Sequence, residues 1–328
     1  MPVDVDALVD RRRLRRKLTF WRVATFIVIA AVLIGGMLYL TGVSELSKRS
    51  AHIARIPIEG MILEDRKTLK MIERISRSDA VKGVVLSINS PGGSTTGGEA
   101  LYYALRDLAE KKPLVAEIRT IGTSAGYMVA IASDHVVARY NSITGSIGVL
   151  FQYGNVQKLL DTLGVEMDAV KSAPLKAEPD FYSKAPPEAV AMLRSLVMDS
   201  YDWFVGLVAE RRNLEEPRAR ELADGRIVTG NKALEAKLID AIGGEDAAIS
   251  WLESEKGVAE NLPVITWTAK ENIEELPFSS RVSRELGKGI GSTLLDPIHQ
   301  AKGLIPRGIM LDGLVSVWQA SDAAENKR

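Results

Sequence analysis

The stretch Val84-Val85-Leu86-Ser87-Ile88-Asn89-Ser90-Pro91-Gly92-Gly93 is the one whose reading decides the fold. Val84 to Ile88 is a strongly apolar strand, and strands this apolar belong to a parallel sheet covered on both faces by helices. Ser90-Pro91-Gly92-Gly93 then ends the strand in a glycine turn. About thirty residues later, Gly122-Thr123-Ser124-Ala125-Gly126 sets a serine between small residues at the start of an apolar helical run. The two stretches supply what acyl transfer needs. One offers backbone N–H groups that can hold an oxyanion. The other presents a hydroxyl at a turn where substrate can approach.

Outward from this pair, strands and helices alternate, as an α/β fold requires. Ile56 to Ile62 is a first strand, 64–78 a helix carrying Leu69, Ile72 and Ile75, and 97–110 a second helix. Pro113 to Ile118 is a strand, Ser124 opens a helix to Ala132, and Asp134 to Ala138 is a further strand. The alternation continues to about residue 170. From Pro186 to about Trp251 the pattern is mostly helical, with Leu193, Leu196, Val197, Tyr201, Phe204 and Val208 on one face of a long helix from Ala189 to Arg212. Asp224-Gly225-Arg226 breaks the helices, Leu238 to Gly243 is a short strand and turn, and Val264 to Trp267 is the expected last strand of the core. Residues 270–328 carry no motif.

The N-terminus has its own logic. Arg11-Arg12-Arg13-Leu14-Arg15-Arg16-Lys17 is densely basic, and Val23 to Leu40 is uncharged. Those eighteen residues span about 27 Å as a helix, close to the ~30 Å hydrocarbon core. Trp21 and Tyr39 lie near the two ends, where interfacial aromatics are common. Leu40-Thr41-Gly42-Val43 offers no small-x-small cleavage site, so a membrane anchor is expected instead of a removed signal peptide. The positive-inside rule keeps the arginines in the cytoplasm and sends the rest across the membrane. The expected organisation is a basic segment 1–20, an anchor 21–42, a linker 43–53, a catalytic domain 54–268 and an extension 269–328. Basic and acidic residues balance at 42 each, which gives no hint of nucleic acid. The absence of cysteine excludes disulfides, thiolate catalysis and cysteine-bound metal.

A serine hydroxyl needs a base beside it. The histidines are His52, His135 and His299. His135 falls at the far end of the serine helix from Ser124 and reads as structural; His52 precedes the expected domain, and His299 lies in the extension. A Ser-His-Asp triad would have to use Asp240 and His299, in the chain order of an α/β-hydrolase. A Ser-Lys dyad is the other arrangement, and with no S-x-x-K in the chain its lysine must come from a distant segment.

Four stretches in order, Ile88 to Gly93, Gly122 to Tyr127, Thr144-Gly145-Ser146-Ile147-Gly148-Val149 and Asp224-Gly225-Arg226, resemble the signal peptide peptidase A family in its half-size bacterial form. The likeness runs from about residue 54 to about 255. It implies a Clp protease/crotonase-like fold: a repeated β-β-α core with a helical C-terminal part, joined here to one N-terminal transmembrane helix. It implies Ser124 as nucleophile and, about fifty residues on, Lys176 as general base, with Lys171 and Lys184 as nearby competitors. The family has glycine and an aromatic just before its lysine, where this chain has Ala173-Pro174-Leu175. Ser146 matches the residue that orients the lysine. Gly93 and Ala125 match the oxyanion donors, Ala125 because it follows the nucleophile at a helix start.

The activity so implied is hydrolysis of apolar peptides, such as cleaved signal peptides, without cofactor or metal. The implied assembly is a homo-oligomeric ring sharing active sites between neighbours, at the bacterial inner membrane with the catalytic domain outside the cytoplasm. A lysine base must be neutral. Lowering a free lysine from about 10.4 by about three units takes about 4 kcal/mol, which burial can supply. A crotonase-like acyl-thioester binder would use the glycines without Ser124 or Lys176. A non-catalytic membrane scaffold of the same fold remains the reading outside enzymology.

Overall fold

The computed structural model describes residues 17–32, 48–269 and the backbone of 315–317. Arg11 to Arg16, the second half of the apolar run and His299 lie outside the described residues. The chain divides into two units, Met1–Ala51 and His52–Arg328. In the first, residues 17–32 form a helix, α1, with exposed side chains. No described helix is long and apolar enough to cross a membrane.

The second unit is a mixed α/β structure around one sheet, the arrangement of the Clp protease/crotonase-like fold. Its strands are β1 (His52–Ile62), β2 (Val81–Ser94), β3 (Leu114–Thr123), β4 (His135–Ala138), β5 (Ile143–Gly145), β6 (Ile227–Thr229), β7 (Ala241–Ile242), β8 (Val264–Thr266) and β9 (Val315–Val317). Its helices are α2 (Arg66–Arg77), α3 (Thr95–Ala109), α4 (Ala125–Ala130), α5 (Gln157–Leu163), α6 (Pro187–Arg212), α7 (Glu216–Leu222), α8 (Gly230–Glu235) and α9 (Glu245–Lys256). The main path runs β6-β5-β3-β2-β1-β8, and β4 and β7 continue from β3. β1, β2 and β3 are parallel, with Ile58 beside Ile88 and Ile88 beside Ile118.

Successive residues of β2 face opposite sides, so its apolar run feeds two cores. Val84, Leu86 and Ile88 join the larger one with Ile72, Leu105, Met128 and Phe204. Val85 points the other way, with Ile53, Val115 and Val137, under Ala248 and Leu252 of α9. Burying each such side chain contributes about 1.5–3 kcal/mol relative to leaving it in water. α2 starts where Asp65 accepts from the amides of Lys67 and Thr68. α3 starts where Ser94 accepts from Gly97.

Two sequence expectations change. β1 begins at His52, whose buried ring stacks on Trp267 and accepts from its indole N–H at 3.1 Å. His52 is therefore part of the sheet and does not precede it. The strand-helix alternation does not continue to residue 170. Between β5 and α6 only α5 is regular, and Lys171 lies in no strand. The apolar runs there pair with no strand of the sheet, and a strand exists only with a neighbour. Val264–Thr266 pairs parallel with β1 at the edge of the sheet, as the last strand of the core. β9 follows it, antiparallel to the end of β2.

Candidate active site

The four motifs meet where the strands end. The pairing of β3 with β2 ends at Ser90–Gly122, and on the opposite edge of β3 its end is paired with β5, with Thr123 beside Gly145. β6 lies antiparallel on β5, with Ile227 beside Gly145. Each motif is tied to the next by a backbone or hydroxyl hydrogen bond. Thr123 Oγ1 donates to Pro91 O at 3.0 Å, and Thr144 Oγ1 donates to Gly122 O at 2.8 Å. Ser124 N–H donates to Gly145 O at 2.9 Å, and Ser146 N–H donates to Arg226 O at 2.7 Å. Ser90 Oγ donates to Gly60 O at 2.6 Å and accepts from Gly92 N–H at 3.1 Å, which pins the turn to β1.

Ser124 stands between β3 and α4 with φ 58° and ψ −121°. That is outside the left-handed helical basin, and a residue with a Cβ is held there only by its surroundings. The side chain is almost wholly buried. The turn is this tight because Gly126 lets the chain pass Ser90 O. A Cβ at 126 would lie 2.9 Å from that oxygen. Gly93 is packed harder still, since a Cβ there would come within 1.8 Å of Ile62 O. Ala125 and Gly126 open α4, whose first amides have no carbonyl partner within the helix. Ser146 also has positive φ, 49°, is buried, and makes no side-chain hydrogen bond among the described residues. Asp224 and Arg226 pair with each other on the surface, which holds the Asp224 carboxyl below its ordinary range.

The lysines lie on the segment between β5 and α6. Lys171 is held by two carboxylates, Glu178 Oε1 at 2.6 Å and Asp180 Oδ2 at 3.3 Å. The Glu178 hydrogen bond, then that of Asp180, pushes its pKa up, so Lys171 stays an ammonium. Glu178 also accepts from Asp180 N–H, and Asp180 accepts from the amides of Tyr182 and Ser183. The ion pairs thus close a loop whose tip carries Lys176. Ala177, next to it, has φ 59°. Lys176 is exposed, its N–H donates to Ala173 O at 3.0 Å, and its side chain makes no hydrogen bond or ion pair among the described residues. It lines a cavity of about 710 Å³ together with Tyr153, Lys171, Asp180 and Phe181. Lys184 lies on a separate, smaller cavity beside Asn155. The structure therefore gathers Gly93, Ser124, Ala125 and Ser146, while Lys176 makes no hydrogen bond to Ser124 within the chain.

The histidine route finds no support here. His135 stacks on Trp251 with ring centres 4.7 Å apart, and its Nδ1 is 3.8 Å from Asp240. Asp240 accepts from Val136 N–H and is paired with Arg212. Val136 is registered with Ala116, near the start of β3. Ser124 follows the other end of that strand, eight residues on, or about 26 Å at strand spacing. Asp240 therefore cannot orient a base for Ser124. Sequence reasoning missed the hydroxyls of Thr123 and Thr144, which stand inside the quoted motifs. It also missed Asn89, whose buried Oδ1 has no partner among the described residues.

A model of Peptidase family S49 matches residues 106–259. The "Putative protease" of Synechocystis sp. is 36% identical over 207 residues, covering 63% of this chain and 75% of that protein. The "Putative protease" of Methanocaldococcus jannaschii is 31% identical over 229 residues, covering 70% and 73%. The "Putative signal peptide peptidase SppA" of Enterococcus faecium is 32% identical over 229 residues, covering 70% and 63%.

Proposed function

The chain belongs to peptidase family S49, of the signal peptide peptidase A type, and from that premise we propose a membrane-anchored serine peptidase built on a Ser124–Lys176 dyad. The observation that carries this reading is the backbone of Ser124. A buried, positive-φ serine sits where three strand ends and four motifs are hydrogen-bonded together. Strain of that kind, about 1–3 kcal/mol, persists where the surroundings over-determine it, and such positions cluster at functional sites.

In this mechanism neutral Lys176 Nζ takes the proton of Ser124 Oγ as that oxygen attacks a peptide carbonyl. The tetrahedral oxyanion is received by the N–H groups of Gly93 and Ala125. The lysine ammonium passes its proton to the departing amine, which leaves an acyl-enzyme. Water, giving its proton to the same lysine, then releases the acid and restores Ser124. The Ser146 hydroxyl accepts from the amine and aims it without adding a negative charge, which would strengthen the charged form. Lys171, already paired with Glu178 and Asp180, is unsuited to the task.

Substrates are apolar peptides in or beside the membrane, cleaved signal peptides among them. The anchor at 21–42 holds the catalytic domain on the extracytoplasmic side of the bacterial inner membrane. Copies assemble in a ring, with Ser124 of one copy served by Lys176 of the next. The test is cleavage of short apolar peptides by the assembled full chain in detergent. Ser124→Ala and Lys176→Ala should each lower turnover by at least about a thousandfold. A Lys176→Ala protein that assembles and still cuts at the original rate rules out the dyad.

A further inference from the structure

The group that takes the proton of Ser124 must also give it up, to the nitrogen that leaves. Such a transfer works across about 2.6–3.2 Å, so Lys176 Nζ has to stand beside the scissile nitrogen. Whatever surrounds Lys176 therefore surrounds the departing half of the substrate. Here that is the cavity of about 710 Å³, a volume within the range of small-ligand sites. Tyr153, Val170, Phe181 and Tyr182 stand in its wall. The other charged side chains there, Lys171 and Asp180, are paired with each other at 3.3 Å, so the wall asks for no charged ligand. None of Gly93, Ser124, Ala125 and Ser146 lines it.

The wall is fixed to the loop that carries Lys176. Phe181 O accepts from Val156 N–H at 2.8 Å, which ties the segment of Tyr153 to that of Phe181. Phe181 and Tyr182 meet edge to face, with ring centres 5.2 Å apart. Between them and Lys171, Asp180 accepts from the lysine and from the amides of Tyr182 and Ser183. Yet the Tyr153 and Phe181 side chains are themselves exposed, and large aromatic rings gain most when a ligand covers them.

Resting on the reading of Lys176 as general base, we propose that this cavity receives the first residue of the departing half of the peptide, and that Tyr153 and Phe181 select a large apolar side chain there. The two halves of the substrate are then read by different elements, the acyl half around Ser124 and the departing half on the lysine's segment.

An amine that attacks the acyl-enzyme retraces the path of the amine that leaves, so it reports on the same place. The assembled full chain in detergent is given a short apolar peptide methyl ester, which loads an acyl group on Ser124. Phenylalaninamide and glycinamide are offered together in equal amounts at about pH 8.5, where such amines are mostly neutral. Attack breaks the bond from Ser124 Oγ to the acyl carbon and forms a C–N bond, and the amine's proton passes by way of Lys176 to Ser124 Oγ. Mass spectrometry reads the ratio of the two amide products, with Ser124→Ala protein as background. Phenylalaninamide should be taken up at least about tenfold more often, the scale on which apolar pockets discriminate. Tyr153→Ser and Phe181→Ser should each lower that ratio several-fold. Both side chains are exposed, so neither change opens the core, and sizing checks that each protein still assembles. A ratio near one in the parent chain, or a ratio unmoved in both assembled variants, would overturn the proposal.

Binding supplies a reading that needs no turnover. The tripeptide Phe-Leu-Ala, with a free amine and a fluorescein at its C-terminus, is titrated onto assembled Ser124→Ala protein and followed by anisotropy. Adding Tyr153→Ser should weaken it about tenfold. No binding, or equal affinity in the two proteins, counts against the cavity. A chain that holds this peptide through Tyr153 yet cleaves nothing refutes the peptidase reading and leaves the cavity's ligand standing. A chain that cleaves but takes both amines equally does the reverse.

Discussion

At the scale of single residues, the site trades stability for geometry. Ser124 holds φ 58° and ψ −121° because its N–H is fixed to Gly145 O while α4 must start at the next residue. Glycine adopts such angles at little cost. Ser124→Gly is therefore expected to be more stable than Ser124→Ala by about 1 kcal/mol or more, though both lack the hydroxyl and both should be inactive. Thermal melts of the two inactive proteins test this, and equal midpoints would show that the turn is not strained. The serine itself was legible from its small neighbours. The strain was not, because it depends on β5, which is about twenty residues away in the chain.

At the scale of elements, the loop from Lys171 to Asp180 separates two lysines that sequence alone left in competition. Lys171 is a charged strut, and either cation can serve as a strut. Lys171→Arg should keep most of the activity, whereas Lys176→Arg should lose it, because guanidinium cannot give up its proton at working pH. Turnover and assembly measured on both proteins decide the point. The reverse pattern would make Lys171 the base. Around β4 a different effect is expected. Burial, only partly offset by Asp240, holds the His135 imidazole below its ordinary pKa of 6.5. The unfolded chain therefore binds this proton first, and stability is lost as the pH falls through and below about 6.5. Asp240, held low mainly by Arg212 despite its burial, adds its loss only as the pH approaches the ordinary carboxylate value of 3.8. The drop in melting temperature between pH 7 and pH 5 should thus be smaller in His135→Gln than in the parent chain. An unchanged drop would assign the acid sensitivity elsewhere.

At the scale of the whole molecule, the segment around α5 looks outward. Leu159, Leu163, Val165, Met167, Val170 and Phe181 are all exposed, on the same stretch that carries Lys176. Apolar surface of this extent marks an interaction site. The ring proposed above gives it a neighbouring copy and brings a lysine from outside to Ser124. Mixing inactive Ser124→Ala protein with inactive Lys176→Ala protein, then allowing subunits to exchange, should restore a measurable fraction of activity. No recovery from co-assembled protein would mean that the dyad closes within one chain or does not exist.

The sequence by itself determined most strands of the sheet, most of the helices and the serine turn proposed to carry the nucleophile. Those depend on local pattern: apolar runs that must be buried, glycines that let backbones touch, a serine flanked by small residues. Ser90, Gly93, Ser124, Ser146 and Arg226 could all be picked out as motif residues for that reason. Only the tertiary structure decided that these motifs are one hydrogen-bonded unit, that His52 is sheet and not linker, and that Asp240 stands at the wrong end of β3. It also decided that Val315–Val317 pairs with Gly92–Ser94. Each of these is a contact between residues far apart in the chain, set by which strand edges remain open once the core has packed, and an open edge leaves no local trace in the order of amino acids.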